Sequence, residues 1–162
     1  MSARTIALNA DGVTLRSLLP QDAPAYRALL LRNAEYLGPD YADDIAASEA
    51  EHAARLASNP DPPLMFGIIA DGPLIGRIDL VAVDPRRFGL GYWVSEERTG
   101  EGIASAAVAA IVEYAHGWLG ATDVYAGVSH GNTASERVLH HNGFERVRRF
   151  DAYDRFHRCL RS

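Results

Sequence analysis

The chain predicts an α+β fold: a central mixed, mostly antiparallel sheet flanked by helices. Three observations lead there. Short strand-like runs flank the turn pairs Asp11-Gly12 and Asp71-Gly72, the pattern of antiparallel hairpins. An alanine-rich segment with helical apolar spacing separates two strand-like runs, GLGYWV and DVYAGV. The chain then closes on two more strand-like runs, FERVRRF and YDRFHRCLR. Its 162 residues suffice for one domain, residues 1–162, with a real core.

TIALNADGVTLRSL reads as a strand, a turn and a strand. A helix from about Asp22 to Asn33 follows, with Tyr26, Leu29, Leu30 and Asn33 on one side. EYLGPDYADD reads as a loop, and Ile45 to Leu56 as a second, more polar helix that ends before NPDPP. LMFGIIADGPLIGRIDLVAV is a hairpin, DPRR a turn, and FGLGYWV the next strand. ERTGEG leads into a helix from about Ile103 to Ala115, where alanine, the best helix former, is frequent. Gly117 and Gly120 then break the pattern. DVYAGV is a strand, SERVLHHNG a short helix stopped by Asn142-Gly143, and the closing strand pair follows. A helical crossover between GLGYWV and DVYAGV makes those two strands parallel neighbours.

Hydrophobic residues make up 48% and the net charge is -5, so nothing in the bulk charge favours nucleic acid or an anionic membrane. No apolar run reaches the ~20 residues that span a bilayer. MSARTIALNADG lacks the apolar stretch of a secretory signal. A single cysteine, Cys159, leaves no internal disulfide and points to a reducing, cytoplasmic setting. Cys159 itself reads as an inert packed residue. No HExxH or CxxC occurs, and the adjacent His140 and His141 do not converge on one ion, so no metal is expected.

Two glycines, Gly100 and Gly102, stand at the mouth of the alanine-rich helix. The first turn of a helix leaves N–H groups unpaired and carries the positive end of the helix dipole. Glycines there let a phosphate approach the backbone. Neither a P-loop nor a dinucleotide fingerprint fits: no lysine follows, and several antiparallel strands precede.

With GLGYWVSEERTGEGIASAAVAAIVEYA and VSHGNTASERVLHHNGFE, the chain resembles the GNAT superfamily of acyl-CoA-dependent N-acetyltransferases. More narrowly it resembles the branch of the ribosomal-protein N-terminal acetyltransferases RimJ and RimL. In the coenzyme motif (Q/R)xxGxG/A, the later positions fall on Gly102 and Ala104, and Gly100 matches a common extra glycine. The first position falls on Thr99, with Arg98 one residue early. Asn132, Ser135, Val138, Leu139, Gly143 and Phe144 match the branch pattern N-x-x-S-x-x-V-L-x-x-x-G-F. TLRSLLPQDAPAYRALL and LIGRIDL also look like their counterparts, so the resemblance covers nearly the whole chain.

The resemblance implies a V-shaped opening between the two parallel strands that receives acetyl-CoA as co-substrate. Backbone around Tyr92, Trp93 and Val94 would hold the pantetheine arm. The turn from Thr99 through Gly100, Glu101, Gly102, Ile103, Ala104 and Ser105 would hold the pyrophosphate. Asn132 would contact the arm, and Ser135 would protonate the departing thiolate. The bland alternative makes Asn132 or Thr133 a helix cap with Glu136 as its reciprocal partner. The branch often carries a carboxylate where Gly89 stands, so the general base must be sought elsewhere. Asp79 alternates with Ile78 and Leu80 along its strand, and His130 follows the DVYAGV strand at its carboxyl end. Both are candidates.

The expected activity is direct acetyl transfer to a primary amine, with a protein N-terminus favoured as acceptor. A small-molecule amine (amino acid, polyamine or aminoglycoside) and a non-catalytic acyl-CoA-binding module are the alternatives. Asp40, Asp43 and Asp44 place carboxylates where an ammonium would be attracted. EYLGPDYADD and SNPDPPLMF are the loops expected to set specificity. Self-association as a homodimer stays open.

Overall fold

The computed structural model describes residues 3–8 and 10–161. Eight strands form one sheet in the order β1-β2-β3-β4-β5-β6-β8-β7. They are β1 (Thr5–Ala7), β2 (Val13–Ser17), β3 (Met65–Ala70), β4 (Leu74–Asp84), β5 (Arg87–Val94), β6 (Asp123–Ser129), β7 (Glu145–Arg149) and β8 (Tyr153–Cys159). Every pairing is antiparallel except β5 with β6. The parallel pair follows from the crossover helix α5 (Ile103–Leu119), which carries the chain back to the starting end of the sheet.

Alternation along the strands divides the side chains between two faces. Leu15, Phe66, Ile68, Ile78, Leu80, Leu90, Val124, Ala126 and Phe156 meet Ala107, Val108 and Ile111 of α5 in the main core. The opposite face receives α1 (Ala23–Arg32), whose Tyr26, Leu29 and Leu30 bury against Trp93 of β5. Tyr92 and Trp93, adjacent in sequence, therefore serve different faces.

β5 and β6 pair in register from Arg87↔Asp123 only as far as Leu90↔Ala126. Beyond that point β6 stays paired with β8, to Ser129↔Tyr153, and β5 stays paired with β4, to Gly76↔Val94. The two strands thus separate, and Gly91–Val94 and Gly127–Ser129 face each other across an opening.

The sequence reading missed local detail in four places. EYLGPDYADD is mostly helical: α2 (Ala34–Leu37), a 3₁₀ turn at Pro39–Tyr41 and α3 (Ala42–Ala46). The helix expected from Ile45 to Leu56 is two, because Ala47 is extended and α4 (Glu49–Ala57) starts afresh. Ser48 accepts from the Glu51 N–H at 3.1 Å and the Glu51 carboxylate accepts from the Ser48 N–H at 3.0 Å. The S-x-x-E spacing of this capping box was present in the sequence.

Helix α5 passes through Gly117 and ends at Gly120, which is left-handed with φ 67°. One glycine costs a helix about 1 kcal/mol, which the buried face of α5 outweighs. Cys159, expected to be packed, is exposed, because the alternation of β8 buries Asp154 and Phe156 instead. Helix α6 (Thr133–His141) stops where the Asn142-Gly143 pair foretold. Among the described residues no helix is long and apolar enough to cross a membrane.

Candidate active site

The opening between β5 and β6 holds two adjoining cavities. The first, about 550 Å³, lies against the start of α5 and is lined by Thr99, Gly100, Gly102, Ile103, Ala104 and Ser105. The second, about 470 Å³, is lined by Asp40, Asp44, Arg77, Asp79 and Gly91. Tyr92, Trp93, Asn132 and Ser135 line both. Ser135 therefore stands at the junction.

The first cavity is shaped by backbone. Gly100 and Gly102 have φ of 80° and 78°, a left-handed conformation that glycine adopts without strain. A Cβ at either position would point into open space, so nothing but its absence keeps the approach clear. The N–H groups of Ile103, Ala104 and Ser105 fall in the first turn of α5, where no intrahelical carbonyl can accept them. Val94 also lines this cavity.

Among the turn residues read from the sequence, Glu101 lines neither cavity. Its carboxylate clasps Arg98 at 2.9 Å and 3.2 Å. Thr99 gives its hydroxyl to Glu96 O at 2.7 Å. Arg98, one residue ahead of the motif position, lines the cavity beside Arg137 of α6. The turn is held from behind. Asn33 bonds Ser95 and the Glu96 N–H at 3.0 Å each, and Asn142 donates to Ser105 O at 3.2 Å.

At the junction, the Tyr92 hydroxyl and Ser135 Oγ lie 2.6 Å apart. Burial raises the Tyr92 pKa, against a lowering influence of the Ser135 bond. Tyr92 is thus a neutral hydroxyl that can donate a hydrogen bond to Ser135 or accept one. Asn132 caps α6: its Oδ1 accepts the Ser135 N–H at 3.2 Å. The amide NH₂ of Asn132 has no hydrogen-bond partner among the described residues, so capping does not preclude a ligand contact. Glu136 makes no reciprocal bond in this cap.

Asp79 leaves the core face of Ile78 and Leu80 and enters the second cavity. The residue opposite it on β5 is Gly91, which leaves room beside the carboxylate. Burial raises the Asp79 pKa, Arg77 lowers it, and Asp44 adds to the rise; the net shift is upward. Arg77 Nε lies 3.4 Å from Asp79 Oδ1, and Arg77 donates to the Tyr26 hydroxyl at 2.8 Å. Burial works against the guanidinium charge, but Tyr26 and Asp79 together raise its pKa above the usual value. Burial holds the Tyr41 hydroxyl up at about 12, so it remains neutral.

His130 lies elsewhere. It is exposed and lines neither cavity, with Nε2 3.4 Å from Asp154 Oδ1. Of the acidic loop, Asp40 and Asp44 face the second cavity and Asp43 does not. The other loop expected to set specificity lines neither cavity. Its Asn59 bonds back to Leu18, Leu64 and Met65. Residues the sequence reading passed over are Tyr41, Arg77 and Arg137; Arg98, which it noted one residue ahead of the motif, lines the first cavity. Arg77 was legible, because the alternation that turns Asp79 toward the cavity turns Arg77 the same way. Tyr41 was not, because its loop had no periodicity to place it.

Comparisons with known proteins agree with this geometry. Residues 13–145 match the family described as acetyltransferase (GNAT) domain. YdaF of Bacillus subtilis strain 168, named provisionally as a ribosomal N-acetyltransferase, is 30% identical over 144 residues, 83% of this chain and 78% of that protein. Among solved structures, RimJ of Mycobacterium smegmatis in complex with CoA-disulfide has a TM-score of 0.78 at 23% identity, covering 98% of this chain and 87% of its own. RimL, a ribosomal L7/L12 α-N-protein acetyltransferase in complex with coenzyme A, has a TM-score of 0.84 at 21% identity, covering 97% and 98%. These two carry the likeness of fold. The family match over residues 13–145 and the 30% identical relative show that the chain belongs to the GNAT family of acetyltransferases.

Proposed function

We propose that the chain moves the acetyl group of acetyl-CoA directly to the α-amine of a protein N-terminus. The carrying observation is Ser135 at the junction of two cavities, with Asp79 on the wall of the second. The first cavity suits the coenzyme. It offers glycine backbone at a helix N-terminus for a pyrophosphate and two guanidinium groups, Arg98 and Arg137, on its wall. The free edge of β5 from Tyr92 to Val94 suits the pantetheine amides, which bind as an added strand would. Asn132 has its amide NH₂ to offer the same arm.

In this reading the neutral amine enters through the second cavity and attacks the thioester carbonyl carbon. A C–N bond forms and the C–S bond breaks. The amine's proton goes to the Asp79 carboxylate, directly or through one water. The Ser135 hydroxyl protonates the departing thiolate, and Tyr92 replaces that proton across the 2.6 Å bond. His130, outside both cavities, takes no part.

The α-amine is favoured over a lysine side chain on chemical grounds. Its reference pKa is about 7.7–8.0, against about 10.4 for lysine, so much of it is already neutral near pH 7. A single carboxylate beside an arginine is a modest base and suits the easier acceptor. The names of YdaF, provisionally a ribosomal N-acetyltransferase, and RimL, an α-N-protein acetyltransferase, support the same reading. The test uses two peptides, one with a free N-terminus and no lysine, the other N-terminally blocked with one lysine. Faster acetylation of the first, read by mass, is expected. Faster acetylation of the second overturns the α-amine assignment. No reaction with either transfers the role to a small-molecule amine or to a non-catalytic acyl-CoA-binding module.

A further inference from the structure

The amine cavity does not end at Asp79. It shares Leu90, Ala126 and Gly127 with a shallow groove of about 390 Å³ on the outer face of the sheet. The floor of the groove is Gly89 of β5 and Gly127 of β6, and its sides are Val83, Tyr125, Tyr153 and Arg155. On this face the apolar residues are unusually open: Val81 is 59% exposed and Val83 65%. The strands are paired here, so the groove is a fixed surface.

The charges along it are arranged. Arg155 stands opposite Gly127 and Arg148 stands opposite Arg155. Arg155 lies over the Tyr125 ring at 5.8 Å and the Phe150 ring at 5.1 Å, and Arg148 over Phe150 at 4.8 Å. Phe150 is itself stacked on Tyr153 at 4.8 Å. The neighbouring Arg146 and Arg149 turn to Asp154, whereas Arg148 and Arg155 have no carboxylate in ion-pair range among the described residues. Two cations on aromatic rings therefore remain uncompensated beside a groove in a chain of net charge -5. At the other end of the same continuous surface stand Asp40, Asp44 and Asp79.

Resting on the α-amine reading above, we propose that this groove receives the acceptor polypeptide beyond its first residue and selects chains with acidic side chains in their first few positions. The ammonium end faces the acidic cavity. The extended backbone crosses Gly89, where no side chain stands within 4 Å of the place a Cβ would take, and passes the Tyr153 ring that lies over Gly127, and the acidic side chains meet Arg155 and Arg148. A surface with opposite charges at its two ends fixes the direction of the bound chain as well as its composition.

The test uses three heptapeptides with free N-termini, identical except at positions three to five, which carry Asp, Ser or Lys. The acidic peptide is expected to have a kcat/KM roughly threefold to tenfold above the basic one, the range two exposed ion pairs supply. The gap shrinks in high salt. Arg155→Glu reverses the order, and Arg148→Glu does the same more weakly. Equal kcat/KM for all three peptides, or an unchanged order in both variants, overturns the groove proposal while leaving α-amine transfer intact. Lack of acetylation of any of the three overturns both. A dimer of the native protein that Arg155→Glu converts to monomer, with the peptide order unchanged, assigns the face to a second copy of the chain.

Discussion

Ser135 and Asp79 come from parts of the chain far apart in sequence, and each is turned toward the opening by a local rule. Ser135 sits in the first turn of α6 because Asn132 caps that helix, and strand alternation turns Asp79. Removing the Ser135 hydroxyl tests its role. Ser135→Ala is expected to lower kcat about 10²- to 10⁴-fold and leave the acetyl-CoA dissociation constant nearly unchanged. Tyr92→Phe removes the hydroxyl that returns the proton to Ser135 and should lower kcat in the same direction, by about 10²-fold. Stopped-flow turnover with calorimetric binding separates the two effects. Undiminished turnover in Ser135→Ala, with chemistry rate-limiting, would return the serine to helix capping. For Asp79 the readout is a pH profile. Its carboxyl must be ionised to accept a proton, and burial raises its pKa. kcat/KM is thus expected to fall as pH drops through a value above the ordinary aspartate pKa of about 3.9. Asp79→Asn should lower the rate and erase that limb.

At the scale of elements, the site depends on how closely β4 and β5 approach and on how α5 begins. A Cβ on Gly76 would run into the backbone carbonyl of Trp93 and stand 3.1 Å from Val94 Cα. Backbone cannot turn aside as a flexible side chain can. Gly76→Ala should therefore displace the Trp93–Val94 edge, lowering both thermal stability and acetyl-CoA affinity. At the start of α5 the conflict is different. Gly102 meets no neighbour, but its φ of 78° is unfavourable for other residues. The left-handed conformation costs a side-chain-bearing residue about 1–2 kcal/mol. Gly102→Val should weaken acetyl-CoA binding in a calorimetric titration well beyond its modest effect on melting temperature. Unchanged affinity would remove the turn from the coenzyme site.

For the whole molecule, the far end of the sheet is tied by one buried carboxylate. Asp123 opens β6 and is 1% exposed. It accepts from Thr122 at 2.8 Å and from Arg161 at 3.0 Å, and pairs with His157 at 2.8 Å. The bond to His157, then that to Thr122, holds its pKa well below the usual carboxylate range. A depressed folded-state pKa contributes stability that is fully present above the unfolded value of about 3.9 and is lost as pH falls toward the folded one. The melting temperature should drop as the solution is acidified below roughly pH 4. Asp123→Asn should be less stable at neutral pH and show a shallower acid decline. An equally steep decline in the variant would place the acid-labile group elsewhere.

The sequence by itself determined the eight strands, the parallel pair within a mixed sheet, the two glycines at the mouth of α5 and the serine on α6. These are readable because each rests on near neighbours: period-two alternation, period-3.6 stripes, turn pairs and caps. The short helices between Ala34 and Ala46 were not legible, since four- and five-residue helices span barely one turn and show no repeat. Alternation gave Asp79 a face but not a neighbour. His130 shared its standing as a base because sequence places it only at the end of β6. Tertiary structure gives them different surroundings. The β5–β6 splay brings Gly91, Asp79 and Ser135 around one opening, while His130 stands outside it with Nε2 3.4 Å from Asp154 Oδ1. Tertiary structure also paired Tyr92 with Ser135 and supplied Arg98 and Arg137 to the first cavity. The physical reason is common to all of these. Backbone propensity acts over a few residues, whereas a site is built from side chains that become neighbours only when the sheet closes and two strands part.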